Sequence, residues 1–194
     1  ATVAFAPNLQ HLRIGRLQLT NIDWVFNLQS LNRLDGWDNQ IEILNIPETF
    51  SGKNFQHLNL DSNSTLTSIT GLANLGALEN LYLRSSGLTD LSFLPEGSRL
   101  QNLYVGGQKL NDVSQLGNVT DLQYLSIENA QQLSDLSVLS QLQSLERLTL
   151  INLPQLSGLN FLENQDRLSY FGLSESRNIE DYSGLANLID ASQI

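Results

Sequence analysis

The sequence predicts a curved α/β solenoid. Each turn would give one short parallel strand to a concave sheet and a 3₁₀ turn or short helix to the convex side. Three observations carry this. Leu is 40 of the 194 residues, about half of the hydrophobic 41%, whereas an ordinary core mixes Leu with Val, Ile, Phe and Ala. The apolar residues recur in register every 22–24 residues. Each period splits into a stretch of twofold alternation and a stretch of threefold spacing.

The units open at Leu9, Leu31, Phe55, Leu78, Leu100, Leu122, Leu145 and Leu168. The first unit shows the pattern: Leu9, Leu12, Ile14, Leu19, Ile22, Val25 and Leu28. Its opening x-Leu-x-Ile-x segment alternates, as a strand with one buried face does. The later spacing of three suits a 3₁₀ turn, whose side chains nearly eclipse at i and i+3. One unit cannot bury its own apolar face, but stacked units can. The expected organisation is one domain over residues 1–190, with Ala191 and Ile194 opening a truncated ninth unit. Asp90, Asp112, Asp135 and Asp181 form a column before a convex apolar residue and read as caps accepting backbone N–H bonds. The second unit is the least regular. Gly36 takes a core strand position and Trp37-Asp38-Asn39 follows, so a bulged or distorted strand is expected there.

This pattern resembles leucine-rich repeat proteins, and the resemblance covers residues 9–190. Segments such as Leu88-Thr-Asp-Leu91-Ser-Phe-Leu94 and Leu133-Ser-Asp-Leu136-Ser-Val-Leu139, with Leu-Ala-Asn-Leu at Leu72–Leu75 and Leu185–Leu188, are similar to the internalin-type subclass. The resemblance implies a right-handed leucine-rich repeat superhelix and a bacterial surface or secreted protein used in adhesion. The sequence departs from the family where an Asn usually follows the strand: Ser86 and Gln108 hold that place, and Asn63 approximates it.

In this fold the third, fifth and seventh residues of each unit line the concave face. Those columns hold four of five Tyr, both His, one of two Trp and four of eight Arg, but only three of 20 acids and neither Lys. Binding hot spots favour Tyr, Trp and Arg. Strand propensity alone would also bring Phe, yet none of the seven Phe falls in these columns. The candidate binding residues are His11, Arg13, Arg33, Trp37, His57, Tyr82, Arg84, Tyr104, Tyr124, Arg147 and Tyr170. His11, Arg13, Arg33 and His57, with Trp37 and Arg16, form a basic-aromatic end. Pairing with Asp35, Asp38 and Asp61 is the plainer reading of those arginines. Tyr82 and Tyr104 should lie side by side, Tyr124 continues the track, and Gly106-Gly107 leaves a notch beside Arg84.

These observations point to a non-catalytic module that binds a protein through its concave face. A polysaccharide-binding face and a structural spacer are the alternatives. With no Cys, a disulfide scaffold, a Cys-ligated zinc site and a thiol nucleophile are excluded. The charge of -10 argues against nucleic acid or an anionic membrane as partner. No apolar run is long enough to insert into a membrane. No cofactor motif, phosphate loop or Ser/His/Asp cluster is present. His11 and His57 are expected about 10 Å apart, with Arg33 between them disfavouring a metal. Asp35-Gly-Trp-Asp38-Asn39 is oxygen-rich but lacks the spacing of a calcium loop. A β-helix lyase would show several strand runs per coil, where this chain shows one. Asn63-Ser-Thr65 and Asn118-Val-Thr120 are glycosylation sequons, relevant only in a secreting eukaryote. Ala1–Pro7 is compatible with the stub left by a secretory signal, although no signal peptide is visible; the resemblance implies a protein outside the cell or at its surface. The missing cap after Ile194 suggests a fragment of a longer protein, or end-to-end packing there.

Overall fold

The computed structural model describes residues 6–186. Eight strands form one parallel sheet: β1 His11–Arg13, β2 Arg33–Asp35, β4 His57–Asn59, β6 Asn80–Leu83, β7 Asn102–Gly106, β8 Tyr124–Glu128, β9 Arg147–Ile151 and β10 Tyr170–Ser174. They pair strictly in chain order, as a solenoid requires. The fourth residue of each unit is one continuous row: Leu12, Leu34, Leu58, Leu81, Leu103, Leu125, Leu148 and Phe171. The six interior members are fully buried, while Leu12 and Phe171 at the two ends are partly buried. Burying one such Leu contributes about 1.5–3 kcal/mol. That return, repeated once per unit, is why one residue type fills the core.

The convex side carries 3₁₀ turns at Asp23–Asn27, Leu72–Asn74, Ser114–Asn118, Ser137–Gln141, Asn160–Leu162 and Ser183–Leu185. The aspartate column enters them as expected. Asp90, Asp112, Asp135 and Asp181 each accept the backbone N–H two residues on, at 2.8–2.9 Å. Asn21 accepts the Asp23 N–H in the same way.

The second unit departs from expectation. Its strand is neither bulged nor distorted: β2 pairs residue for residue with β1 and β4. Gly36 continues the ladder by donating its N–H to the Asn59 carbonyl at 2.8 Å. The missing side chain is replaced by neighbours, since Leu60 Cδ2 and Ile22 Cδ1 lie 3.2 and 3.7 Å from where a Cβ would stand. The irregularity is on the convex side instead. There β3 (Ile43–Asn45) pairs in parallel with β5 (Ser68–Thr70) as a second two-stranded sheet, and the 3₁₀ turn Leu72–Asn74 follows β5.

After seven of the eight concave strands the chain turns through one left-handed residue; the exception is β7, where Gly107 holds that place. Arg16, Asp38, Ser62, Ser85, Asn129, Asn152 and Glu175 all have φ of 54–60° and occupy the eighth position of their units. Each costs about 1–2 kcal/mol in a residue with a side chain, and the ladder on either side holds it there. The next residue is the family's turn Asn position. Asn39 and Asn63 fill it as a working pair. The Asn39 amide donates to the carbonyls of Ile14 and Gly36 at 2.8 and 3.0 Å and accepts from the Leu17 and Leu19 N–H groups at 3.0 and 3.1 Å. Asn63 donates to Gly36 and Leu60 and accepts from the Ile41 N–H. From the fourth unit on, Ser86 is buried with a long 3.4 Å bond to Gly106, and Gln108 is exposed. The predicted ninth unit at Ala191–Ile194, and any packing through that end, lie outside the described residues.

Candidate functional site

The eleven predicted residues all stand on or beside the concave sheet, and the structure sorts them into two groups. The first surrounds Asp35, which the sequence marked only as a pairing partner for the arginines and not as a binding residue. Its side chain is 3% exposed, yet it is a carboxylate. Arg33 donates to it twice, Nε to Oδ2 at 2.9 Å and NH2 to Oδ1 at 3.1 Å. His11 Nε2 lies 2.7 Å from Oδ2. His57 Nε2 lies 3.3 Å from Oδ1, but without hydrogen-bond alignment, and so is buried with no partner. Arg13 Nε stops 3.9 Å away. His11 and His57 therefore converge on one carboxylate rather than standing apart. Parallel pairing makes this possible, because Arg33 sits in register between them.

The pKa values follow from this geometry. Burial would raise that of Asp35, but hydrogen bonds from Arg33 and His11 and the charges of Arg33 and His57 bring it below the ordinary carboxylate range. Burial, then the charge of Arg33, lowers that of His57; Asp35 offsets only part of this. Neutral His57 is thus the favoured form. Asp35 and Asn39 are committed to neighbouring protein groups, so the oxygen-rich 35–39 segment is not a calcium loop. Among the described residues no group of three or more His, Cys, Asp or Glu could hold a metal.

The second group is a row of rings. Tyr82 and Tyr104 are register partners and stack with centroids 4.4 Å apart and planes 9° from parallel. His57 stands at 5.0 Å on one side of the pair and Tyr124 at 4.7 Å on the other. Tyr124 belongs to the third-position column, so the row steps diagonally across the sheet. Arg147 continues it, 6.0 Å over Tyr124 and 4.7 Å over Tyr170. Such contacts contribute about 0.5–1.5 kcal/mol each. Burial, then the neighbouring phenols of Tyr82 and Tyr124, push the Tyr104 phenol up to about 12.

Arg84 is braced rather than free. It hydrogen-bonds Asp61 through Nε at 3.0 Å and NH2 at 2.6 Å, and lies 3.7 Å from Glu128. Those contacts, hydrogen bonding first, raise its pKa further. The expected notch is divided between the two glycines. A Cβ on Gly106 would stand 1.9 Å from the Glu128 carbonyl oxygen, and one on Gly107 2.3 Å from that of Ser86, so both let neighbouring units approach. Gly107 also lines open space, a groove of about 810 Å³ that includes Ser85, Gln108, Lys109 and Asn129. Trp37 is enclosed too. Arg16 lies 4.7 Å over its ring, and a Cβ on Gly15 would meet Cε2 at 2.7 Å.

A search of solved structures relates this geometry to known proteins. Internalin C2 of Listeria monocytogenes superposes with a TM-score of 0.78 at 31% identity, over 92% of this chain and 76% of that one. The chain belongs to the internalin family. Internalin F of the same organism matches at 25% identity and a TM-score of 0.73, over 93% of this chain and 52% of that one. A leucine-rich repeat protein of Leptospira interrogans, 16% identical with a TM-score of 0.51 over 89% of this chain and 56% of that one, shares the fold. No protein-family model matches the chain, and no curated protein matches it. Among the described residues of this internalin, no helix is long and apolar enough to cross a membrane.

Proposed function

We propose that this internalin chain is a single recognition domain of eight units, part of a bacterial surface or secreted protein, and that its concave face binds a partner protein. The observation that carries the reading is the row His57, Tyr82, Tyr104, Tyr124, Arg147 and Tyr170. Its inner members cover one another's faces, and the end ring Tyr170 is exposed. A protein surface is read by edges and phenolic hydroxyls at low entropic cost. A sugar ring needs an open aromatic face to lie against. Tyr82, Tyr104 and Tyr124 are each flanked on both sides, and Trp37 lies between Arg16 and Gly15. This favours the protein partner over the glycan.

The test is capture of surface proteins from host cells on the immobilised chain, compared with a Tyr82→Ala, Tyr104→Ala double variant that keeps its circular dichroism spectrum. The expected result is at least a tenfold loss of capture, since two ring contacts at the centre of an interface contribute on the order of 2–4 kcal/mol. Equal capture by both would favour the spacer reading. Binding on a glycan array without any protein partner would favour the sugar reading.

A further inference from the structure

The charge around Asp35 does not balance. One carboxylate faces two guanidiniums and two imidazoles. Among the described residues, it is the only carboxylate within 4 Å of any of the four. With both imidazoles neutral, two guanidiniums against one carboxylate leave one positive charge, and each imidazole that gains a proton adds another. Donors are also in surplus. Arg33 has five N–H groups and gives two to Asp35. Arg13, 68% exposed and 3.9 Å short of Asp35, gives none to it. His57 Nε2 has no partner at all.

We propose that this end of the concave face is a carboxylate-accepting subsite. Arg13, Arg33, His11 and His57, gathered around Asp35, take a second acidic group presented by the partner protein, and take it more tightly as the solution is acidified. The inference rests on the concave face being the binding face, and it adds what the partner must offer there. Asp35 acts as a positioning residue. It orients Arg33 and His11; Arg13 and part of Arg33 stay exposed, while His57 Nε2 is buried and contributes through its charge. The other groups facing the histidines do not supply the missing charge. Tyr82 on β6 is a neutral ring against His57. Asp61, after β4, is committed to Arg84, and Asp38, after β2, to Arg16. A guanidinium pair holding a carboxylate makes charge-assisted bonds about twice as strong as neutral ones, and Arg13 and Arg33 are exposed enough to do so.

The experiment uses a capped Glu-Glu dipeptide as probe and a capped Gln-Gln dipeptide as control, at fixed ionic strength. Arginine Nε–Hε and histidine ring signals are followed by NMR. Glu-Glu should shift Arg13 and Arg33 with a dissociation constant on the order of 1–10 mM, tightening as the pH is lowered from 7.5 and His57, whose pKa burial lowers, takes up its proton. Gln-Gln should shift neither. Arg13→Gln should weaken Glu-Glu binding about fivefold while the Tyr82 and Tyr104 ring signals stay in place. An equal response to both dipeptides, or an affinity flat with pH, overturns the proposal. Asp35→Asn gives a second arm that a purely structural role would not move. With the internal carboxylate neutralised, succinate should raise the melting temperature of the variant more than that of the wild type, and an equal rise counts against the subsite. If Asp35→Asn does not fold, the Arg13→Gln titration decides. None of these measurements alters the tyrosine row or needs a partner protein, so failure here and failure of the concave-face reading are separately visible.

Discussion

Asn39→Ala removes the side chain that ties the first unit to the second. Four hydrogen bonds at 2.8–3.1 Å go with it, two donated to Ile14 and Gly36 and two accepted from Leu17 and Leu19. A bond of this kind contributes about 1 kcal/mol, and a buried group left without a partner costs about 1–3 kcal/mol. Leu17 is 57% exposed, so its N–H regains water. The Gly36 carbonyl keeps the bond donated by Asn63, but the Ile14 carbonyl lies in the packed turn and is left without a partner. The expected loss is therefore roughly 2–3 kcal/mol. It should be measured by urea unfolding, with hydrogen exchange to locate it. Because each unit contacts only its neighbours, faster exchange should be confined to the first two or three units. Gln108→Ala is the matched control: same position in the fifth unit, exposed, expected within about 0.5 kcal/mol of the wild type. A loss below 0.5 kcal/mol for Asn39→Ala, or equal losses for both variants, would refute the reasoning.

Gly106→Ala should unfold the chain or cost roughly 3 kcal/mol or more, because its Cβ would overlap the Glu128 carbonyl oxygen, which is backbone and cannot step aside. Gly76→Ala meets nothing within 4 Å and should be neutral in the same melt. His57 is lowered by burial, so the unfolded chain binds the extra proton. Its contribution to stability is complete above about pH 6.5 and lost as pH falls through its folded value. His57→Gln should flatten the thermal stability profile between pH 7 and pH 5. Asp35 is lowered as well, so its contribution is present above the ordinary carboxylate range and disappears only in stronger acid. Phenolate absorbance on base titration should show one late-ionising tyrosine near pH 12, and Tyr104→Phe should remove it.

The solenoid is legible in the sequence because its core repeats. Leu34, Leu58, Leu81, Leu103 and Leu125 occupy identical environments, so one pattern predicts them all. The stacking of Tyr82 on Tyr104 is legible for the same reason, since equal positions in adjacent units must meet. What escapes is whatever depends on the neighbour's side chain. Gly36 signals a defect only if nothing fills its place, and Leu60 and Ile22 do. Gly106 opens no space because the Glu128 backbone stands against it, while Gly107 lines the groove. Asp35 could have been suspected as the lone acid among His11, Arg13, Arg33 and His57 on the first three strands. Its burial follows from Arg33 folding back along its own strand, which a column of letters does not show. Asn39 was read for its oxygens, although its place one residue after a left-handed turn marks it as a backbone tie.

The second sheet has a consequence for shape. A solenoid bends when its two sides advance by different amounts per unit. Parallel strands advance by about 4.8 Å wherever they occur. Where β3 pairs with β5, both sides carry strands, and the advance is matched. The step from the second unit to the third therefore adds no bend of its own. The same step carries the strands of Arg33 and His57, so the Asp35 cluster rests where both sides of the array advance together.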